Sequence, residues 1–216
     1  MKTSELAELI KSRRSIRKWQ DKPVSEKLLY EAIELATYAP NGGNQQIWRF
    51  YVILNKKVIQ SIADVVKETT EYVCSWPESD KFRESVERMR TLDFIRSAPA
   101  AIAVAARQYQ SALDQVTVIR EKVDPKAKLI HQWRDIANAR IQSAASAIAY
   151  LLLILHQMGL GAVWMTGPMQ SKVEIEKILK VPKDLDLMAY IPVGYPAENP
   201  PLKERKPVKE VCETIK

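Results

Sequence analysis

Three arginines and a serine lie within five residues near the amino terminus, in the run Arg13-Arg14-Ser15-Ile16-Arg17. A guanidinium group offers a planar, charge-assisted pair of donors that matches the geometry of a phosphate. Side chains at alternate positions of such a run can converge on one anion. The same residue types are also typical of the basic end of a helix, where cations interact favourably with the helix macrodipole. Spacing alone leaves both interpretations open.

A second polar segment runs from Pro40 to Gln46 and reads PNGGNQQ. Its two glycines allow the backbone to come close to a flat ligand. Asparagine and glutamine side chains carry both hydrogen-bond donors and acceptors. The segment therefore suits the edge of a heterocycle, and it suits an ordinary helix-to-strand turn equally well.

Two segments near the carboxyl terminus add further candidates. Residues 159–164 (GLGAVW) begin like a dinucleotide fingerprint, but Trp164 stands where the last glycine belongs. The segment also follows a predicted helix rather than a strand, so we exclude a Rossmann phosphate turn. Gly167-Pro168 predicts a tight turn that can expose backbone amides. Residues 203–206 (KERK) are typical of a solvated surface and gain a binding role only if the tail folds back toward the first arginines.

Several catalytic classes find no support in the residue types. The chain has two histidines, His131 and His156, and two cysteines, Cys74 and Cys212, which lie far from them in sequence. No zinc-ligand spacing, HExxH, GxxxxGK[ST] or GxSxG motif is present. We therefore predict no metal site and no catalytic side chain.

Composition bounds the class of protein. Of the 216 residues, 46% are apolar and 27% charged, which excludes disorder of the whole chain and predicts one domain over residues 1–216. The formal net charge of +7 is spread without a dense basic block, so we predict no nucleic-acid partner. No apolar signal segment follows Met1, and the apolar run from Ala144 to Leu155 is too short to span a bilayer. We therefore predict no membrane association and a cytoplasmic location.

Hydrophobic periodicity predicts more helices than strands. The predicted helices cover residues 4–12 (capped by Thr3 or Ser4), a segment from the cap Ser25 to Pro40, 57–72, 82–94, 136–158 with a stop at Gly159, and a segment opened by a capping box at Ser171 that ends before Pro182. The predicted strands cover residues 48–54, 100–106, 162–165 and 187–193. Residues 107–132 are polar, with Pro125 interrupting any helix, and the tail from Pro196 is expected to wrap over a surface. This pattern predicts an α+β fold, that is, a layered α/β domain.

Four ordered segments form one pattern along nearly the whole chain. They are residues 13–17 (RRSIR), 39–50 (APNGGNQQIWRF), 159–167 (GLGAVWMTG) and 193–205 (VGYPAENPPLKER). Their order and spacing are far more specific than any one segment. Together they resemble the FMN-dependent nitroreductase family, which carries an Arg-x-Ser-x-Arg/Lys run, an Ala-Pro-Ser-x-x-Asn-x-Gln-Pro-Trp-x-Phe pattern, a Gly-Leu-Gly/Asp segment and a Val-Gly-Tyr-Pro segment before a basic tail.

The resemblance implies a mixed, mostly antiparallel sheet flanked by helices, and an intertwined homodimer with FMN at its interface. It implies that the arginine run and the tail hold the FMN phosphate and ribityl chain. The polar loop would line the flavin from the partner subunit, and the segment after Ala162 would pack along the ring. The implied cofactor-binding residues are Arg13, Arg14, Ser15, Arg17, Pro40, Asn41, Gly42, Asn44, Gln46, Trp164, Met165, Thr166, Gly167, Lys203 and Arg205.

The resemblance also implies the reaction. NAD(P)H would pass a hydride to flavin N5, and a nitroaromatic, a quinone or a similar small molecule would then take the electrons in a ping-pong mechanism. The backbone N–H of Thr166 or Gly167 would donate to N5, and residues 107–132 would form a substrate lid. The chain departs from the family at Asn41 (usually serine), Ile47 (usually proline) and Thr166 (glutamate in some members). Reductive dehalogenation or flavin cleavage on the same fold, and a non-enzymatic flavin-binding module, are alternatives.

Overall fold

The fold is built on a four-stranded sheet. A computed structural model describes residues 2–216, with the side chains of all of these except 88 and 90–93. The strands pair antiparallel in the order β1-β2-β4-β3, where the four are β1 (Trp48–Ile53), β2 (Ala100–Arg107), β3 (Gly161–Ala162) and β4 (Leu185–Gly194). A parallel bridge joins Ser15 to Ala162 beside β3. The prediction of an α+β fold with a mostly antiparallel sheet is confirmed.

Helices cover both faces of this sheet. They are α1 (Thr3–Ser12), α2 (Glu26–Ala36), α3 (Lys56–Cys74), α4 (Arg83–Arg90), α5 (Ala112–Arg120), α6 (Pro125–Ala137), α7 (Ala139–Gln157), α8 (Lys172–Leu179) and the short α9 (Val208–Val211). Strand β2 is buried almost throughout, as its continuous apolar run predicts. Its alternate side chains serve two cores, since Ile102 and Val104 pack with α2 and α7 and Ala101 and Ala103 with α3 and α8.

Helix α7 is the central helix of one layer. The helical stretch Pro125–Gln157 is long enough to cross a membrane, and an 18-residue window within it is apolar enough, with a mean hydropathy of 1.3. Asn138 divides it, however, because its φ of 40° ends α6 while its side chain accepts a hydrogen bond from Ile141 N and caps α7. The face of α7 toward the sheet is buried, which identifies it as a core helix. The predicted single helix over residues 136–158 therefore begins too early.

Helices α5 and α6 form a hairpin that occupies most of the region predicted as a lid. The expectation that Pro125 interrupts any helix there is confirmed, since α5 ends at Arg120 and a new helix begins at Pro125. Pro125 is the first residue of α6, where the missing N–H has no helical partner in any case. Asp124 caps the helix by accepting a hydrogen bond from Lys126 N at 2.9 Å.

Two predicted helix caps are wrong. Helix α1 begins one residue earlier than predicted, so Lys2 is its cap and Thr3 and Ser4 lie inside it. Ser171 stands before α8 but makes no side-chain cap; its Oγ donates to Val65 O at 3.1 Å instead and lies 2.8 Å from Thr69 Oγ1. The Ser171 hydroxyl group therefore bonds to residues of α3 and does not form the cap of α8 that the local motif predicted. Gly159 does end α7, with a φ of 77°.

Charged side chains join the two helices of the hairpin. His131 Nδ1 lies 2.6 Å from the Glu121 carboxylate, and His131 Nε2 lies 3.6 Å from Asp135. The hydrogen bond to Glu121 raises the pKa of His131 above its ordinary value. Arg134 donates to Asp114, and this hydrogen bond holds the pKa of Asp114 far below its usual range.

We expect His131 to make the stability of the fold depend on pH. Because its pKa in the folded chain is raised above 6.5, protonated His131 stabilises the fold fully below that value. This contribution is lost as the pH rises through the folded pKa. The melting temperature of the wild-type chain should therefore exceed that of His131→Gln by more at about pH 6 than at about pH 9.

The other histidine provides the control for this experiment. Burial, together with Arg13 and Arg14, lowers the pKa of His156, so the wild-type chain should lose stability relative to His156→Gln as the pH falls below 6.5. A melting-temperature difference for His131→Gln that is the same at both pH values would contradict the role of His131.

Candidate functional site

The run Arg13–Arg17, called here the arginine segment, is extended and lies at the edge of the sheet. The chain leaves α1 at Arg13, and Ile16 N then donates to Ala162 O at 3.1 Å. Ile16 is buried, and side chains of an extended segment alternate in direction. Arg13, Ser15 and Arg17 therefore share the side opposite to Ile16.

Arg14 has a different environment from the other arginines. Its Nη1 donates to Lys11 O at 2.6 Å and to Arg13 O at 2.9 Å, at the carboxyl end of α1. This is the helix-end role that cations commonly have. The two interpretations of the arginine run thus apply to different residues: Arg14 binds the helix end, whereas Arg13 and Arg17 have no acidic partner within the described part of the chain.

The start of the carboxyl-terminal tail returns alongside the arginine segment. Gln20 N donates to Tyr195 O at 2.9 Å, and Ala197 N donates to Lys18 O at 2.9 Å. Further along, Arg205 lies near enough to Arg13 to lower its pKa. Lys203 is exposed.

The result is a cluster of positive charge with little acidic compensation. Burial lowers the pKa of Arg13 most, and Arg14 and Arg205 lower it further by repulsion. Beside the cluster, His156 Nε2 lies 2.9 Å from Ser12 Oγ. Cations that repel one another in this way are stabilised by a bound anion, and a phosphate dianion matches guanidinium donors. The residues therefore fit the phosphate of FMN.

The segment Trp164–Gly167 continues from the bridge at Ala162. Met165 is buried and exchanges two backbone hydrogen bonds with Tyr190, both of 3.0 Å. Trp164 is 38% exposed, and Thr166 and Gly167 are exposed at the start of a 3₁₀ turn, where backbone N–H groups lack partners within the turn. The exposed residues Trp164, Thr166 and Gly167 thus begin two positions beyond Ala162, about 7 Å along an extended chain.

The loop from Pro40 to Gln46 is held by helix α7. Ser146 Oγ donates to Pro40 O at 2.6 Å, and Gly42 N donates to Ser143 Oγ at 3.2 Å. Gln46 N donates to Asn41 Oδ1 at 2.9 Å, which closes the loop on itself. The side chains of Asn44 and Gln46 are exposed, and both residues have positive φ, at 51° and 44°. Such backbone strain is typical of functional loops.

The structure keeps this loop apart from the arginine segment. Ser143 and Ser146 contact the loop, whereas His156 contacts Ser12 next to the arginines. These positions are ten to thirteen residues apart on α7, which corresponds to about 15–20 Å along the helix axis. One copy of the chain thus brings together the arginine segment, Arg205 and residues 164–167, and places the loop elsewhere.

A cavity of about 600 Å³ lies between the α5–α6 hairpin and the start of α7. Tyr109 lines it and also packs on the loop, since a Cβ added at Gly42 would lie 2.6 Å from the Tyr109 ring. The charged side chains that line the cavity are largely paired within the protein, including Asp114 with Arg134 and Arg140 with Asp186.

Sequence reasoning missed Ser12, His156 and Glu198 as members of the site. Glu198 Oε1 accepts hydrogen bonds from Arg17 N and Lys18 N at 2.5 and 3.1 Å. The contacts join residues 144 and 181 positions apart, so no local pattern marks them. Within the described residues there is no cluster of three or more metal-ligating side chains.

Comparison with known proteins identifies the family. The model of the nitroreductase family matches residues 10–195. A protein of Methanothermobacter thermautotrophicus named as an NADH dehydrogenase/NAD(P)H nitroreductase is 30% identical over 199 residues, covering 91% of this chain and 80% of that protein.

Two solved structures share the fold. A BluB-like flavoprotein from Clostridium difficile 630 superposes with a TM-score of 0.83 at 29% identity, covering 98% of this chain and 99% of the other. Oxidised iodotyrosine deiodinase, solved with FMN and 3-iodo-L-tyrosine, superposes with a TM-score of 0.70 at 25% identity, covering 94% and 95%. The chain thus belongs to the nitroreductase family.

Proposed function

We propose that this protein is an FMN-dependent oxidoreductase that takes a hydride from NAD(P)H and passes electrons to a small uncharged acceptor such as a quinone or nitroaromatic. The observation that carries the proposal is that Arg13 and Arg205 lie close together without an acidic partner in the described chain. The arginine segment also bridges to Ala162, two residues before the exposed Trp164. The fold shared with an FMN-bound deiodinase supports the choice of cofactor.

Two groups of residues would hold the two ends of FMN, its phosphate and its ring. Arg13, Arg17 and Arg205 would bind the phosphate, with Ser15 and Lys203 as further donors. When bound, FMN supplies hydride transfer at its ring system. The protein's contribution would be to orient that ring: Trp164 and Met165 would pack along it, and the N–H of Thr166 or Gly167 would donate to N5. A side-chain acid or base is not needed for this reaction.

The site is completed by a second copy of the chain. In one copy the Pro40–Gln46 loop lies about 15–20 Å along α7 from the arginine segment, so the loop would serve the flavin of the other copy. Exposed apolar side chains support such an intertwined homodimer. Tyr38, in the turn after α2, is 79% exposed, and Val208 and Ile215 in the tail are 72% and 94% exposed. A partner that covers these residues would remove apolar surface from water.

Reductive dehalogenation is the second candidate, because one structural relative is a deiodinase that binds 3-iodo-L-tyrosine. Recognition of an amino-acid zwitterion needs a carboxylate that is free to bind its ammonium group. In the α5–α6 region the three acidic residues of the predicted lid are each engaged within the protein: Asp114 with Arg134, Glu121 with His131, and Asp124 with Arg120. This pairing favours an uncharged acceptor over a zwitterion.

The first test is the visible spectrum of the purified protein, followed by addition of NADPH or NADH without oxygen. We expect the absorption bands of oxidised flavin, which bleach on addition of the nicotinamide. A chain that stays colourless after reconstitution with FMN would overturn the cofactor assignment. Bound flavin that neither nicotinamide reduces would overturn the electron donor and leave a flavin-binding module.

A second test compares two adjacent arginines. We expect Arg13→Ala to weaken FMN binding by about tenfold or more, because a hydrogen bond to a charged group contributes about 1.5–3 kcal/mol. Riboflavin, which lacks the phosphate, should bind both chains equally. The matched control Arg14→Ala should lower the melting temperature and change FMN affinity less, since Arg14 binds the end of α1. Equal losses of FMN affinity would refute this division of roles.

A third test separates the two candidate reactions. Turnover of a quinone and of 3-iodo-L-tyrosine is compared with the reduced enzyme under the same conditions. We expect kcat/KM for the quinone to exceed that for the amino acid by at least about 100-fold, because an ion that loses water without gaining a partner costs several kcal/mol. Deiodination at a comparable rate would replace the first candidate by the second.

A further inference from the structure

We infer that Glu198 is a positioning residue for the FMN phosphate: it fastens the carboxyl-terminal tail to the arginine segment so that Arg205 joins Arg13. This inference rests on the proposed function and identifies how the same site distinguishes FMN from riboflavin. Glu198 does not itself contact the cofactor in this account. It acts through the tail.

The geometry of Glu198 supports a fastening role. Its Oε1 accepts hydrogen bonds from two successive backbone groups, Arg17 N at 2.5 Å and Lys18 N at 3.1 Å. The neighbouring backbone is paired as well, since Ala197 N donates to Lys18 O and Trp19 bridges to Pro196. The carboxylate thus closes the end of a short antiparallel pairing between the tail and the arginine segment.

The carboxylate is directed at peptide groups and not at the neighbouring cations. Within the described residues, Glu198 forms no ion pair with Arg13, Arg14 or Arg17. A glutamate that paired with these guanidinium groups would compete with a phosphate for them. By accepting from backbone N–H groups instead, Glu198 leaves Arg13 and Arg17 available to an external anion.

Glu198 is also the last hydrogen-bonded anchor before Arg205. Between residues 2 and 216, no hydrogen bond joins residues 199–206 to the rest of the chain. Arg205 is seven positions after Glu198, which allows a reach of about 25 Å when extended. Yet Arg205 lies near Arg13. Without the anchor, more of the tail would have to be ordered each time a phosphate binds, and the contribution of Arg205 would fall.

The experiment measures FMN and riboflavin affinity of the full-length chain by flavin fluorescence. We expect Glu198→Ala to weaken FMN binding about 3- to 10-fold, the cost of ordering a flexible segment and its side chain, and to leave riboflavin affinity unchanged. Glu198→Gln keeps a carbonyl oxygen that accepts from the same N–H groups, so it should retain most of the FMN affinity. Glu210→Ala, which removes an exposed glutamate from the tail helix α9, is the matched control and should bind FMN like the wild type.

A double-mutant cycle with Arg205→Ala tests whether Glu198 acts through that residue. The double variant should bind FMN no more weakly than Arg205→Ala alone. Additive losses, or an equal loss for FMN and riboflavin in Glu198→Ala, would overturn the role of Glu198 while leaving the proposed function intact. A wild-type chain that binds neither flavin would overturn both.

Discussion

The architecture of the site depends on one contact, the parallel bridge between the arginine segment and Ala162. Ile16 N donates to Ala162 O, and the Ile16 side chain is buried next to Gly161, where an added Cβ would lie 2.7 Å from Ile16 Cγ1. Trp19 Nε1 donates to Gly161 O at 2.8 Å on the same stretch. Because this contact aligns the end of α1 with the segment after β3, the residues proposed to bind the phosphate and those proposed to bind the ring lie on neighbouring segments. The start of the carboxyl-terminal tail then forms hydrogen bonds with residues 17–20.

Sequence patterns predicted the elements well where the signal was the hydrophobic effect. The buried run of β2 and the amphipathic α2 and α3 lie where periodicity placed them, because burial of apolar side chains decides their positions. Predictions of helix ends failed where the outcome depends on a single polar residue. Ser171 satisfied the local capping motif, yet its hydroxyl bonds to α3. Asn138 carried no strong break signal, yet its left-handed conformation divides a long helical pattern.

The candidate site was predictable to a similar extent. The types and spacing of Arg13, Ser15 and Arg17 left an anion site and a basic helix end both open, and only the family resemblance favoured the phosphate of FMN. The distinct role of Arg14 follows from where α1 ends, which spacing could not determine to the residue. The role of Glu198 could not be predicted from the sequence for a different reason. Its partners are backbone N–H groups of residues far away in sequence, and these are the same in every non-proline residue.

Helix α7 fixes the distance between the polar loop and the arginine segment. One rigid rod of 19 residues carries the contacts of the polar loop near one end and those of the arginine segment at the other. Each residue added to or removed from this rod would rotate one end against the other by about 100° and shift it by about 1.5 Å. An insertion or deletion inside α7 would therefore displace the polar loop relative to the arginine segment, whereas a change of length in the turn between α5 and α6 would leave their separation along α7 unchanged.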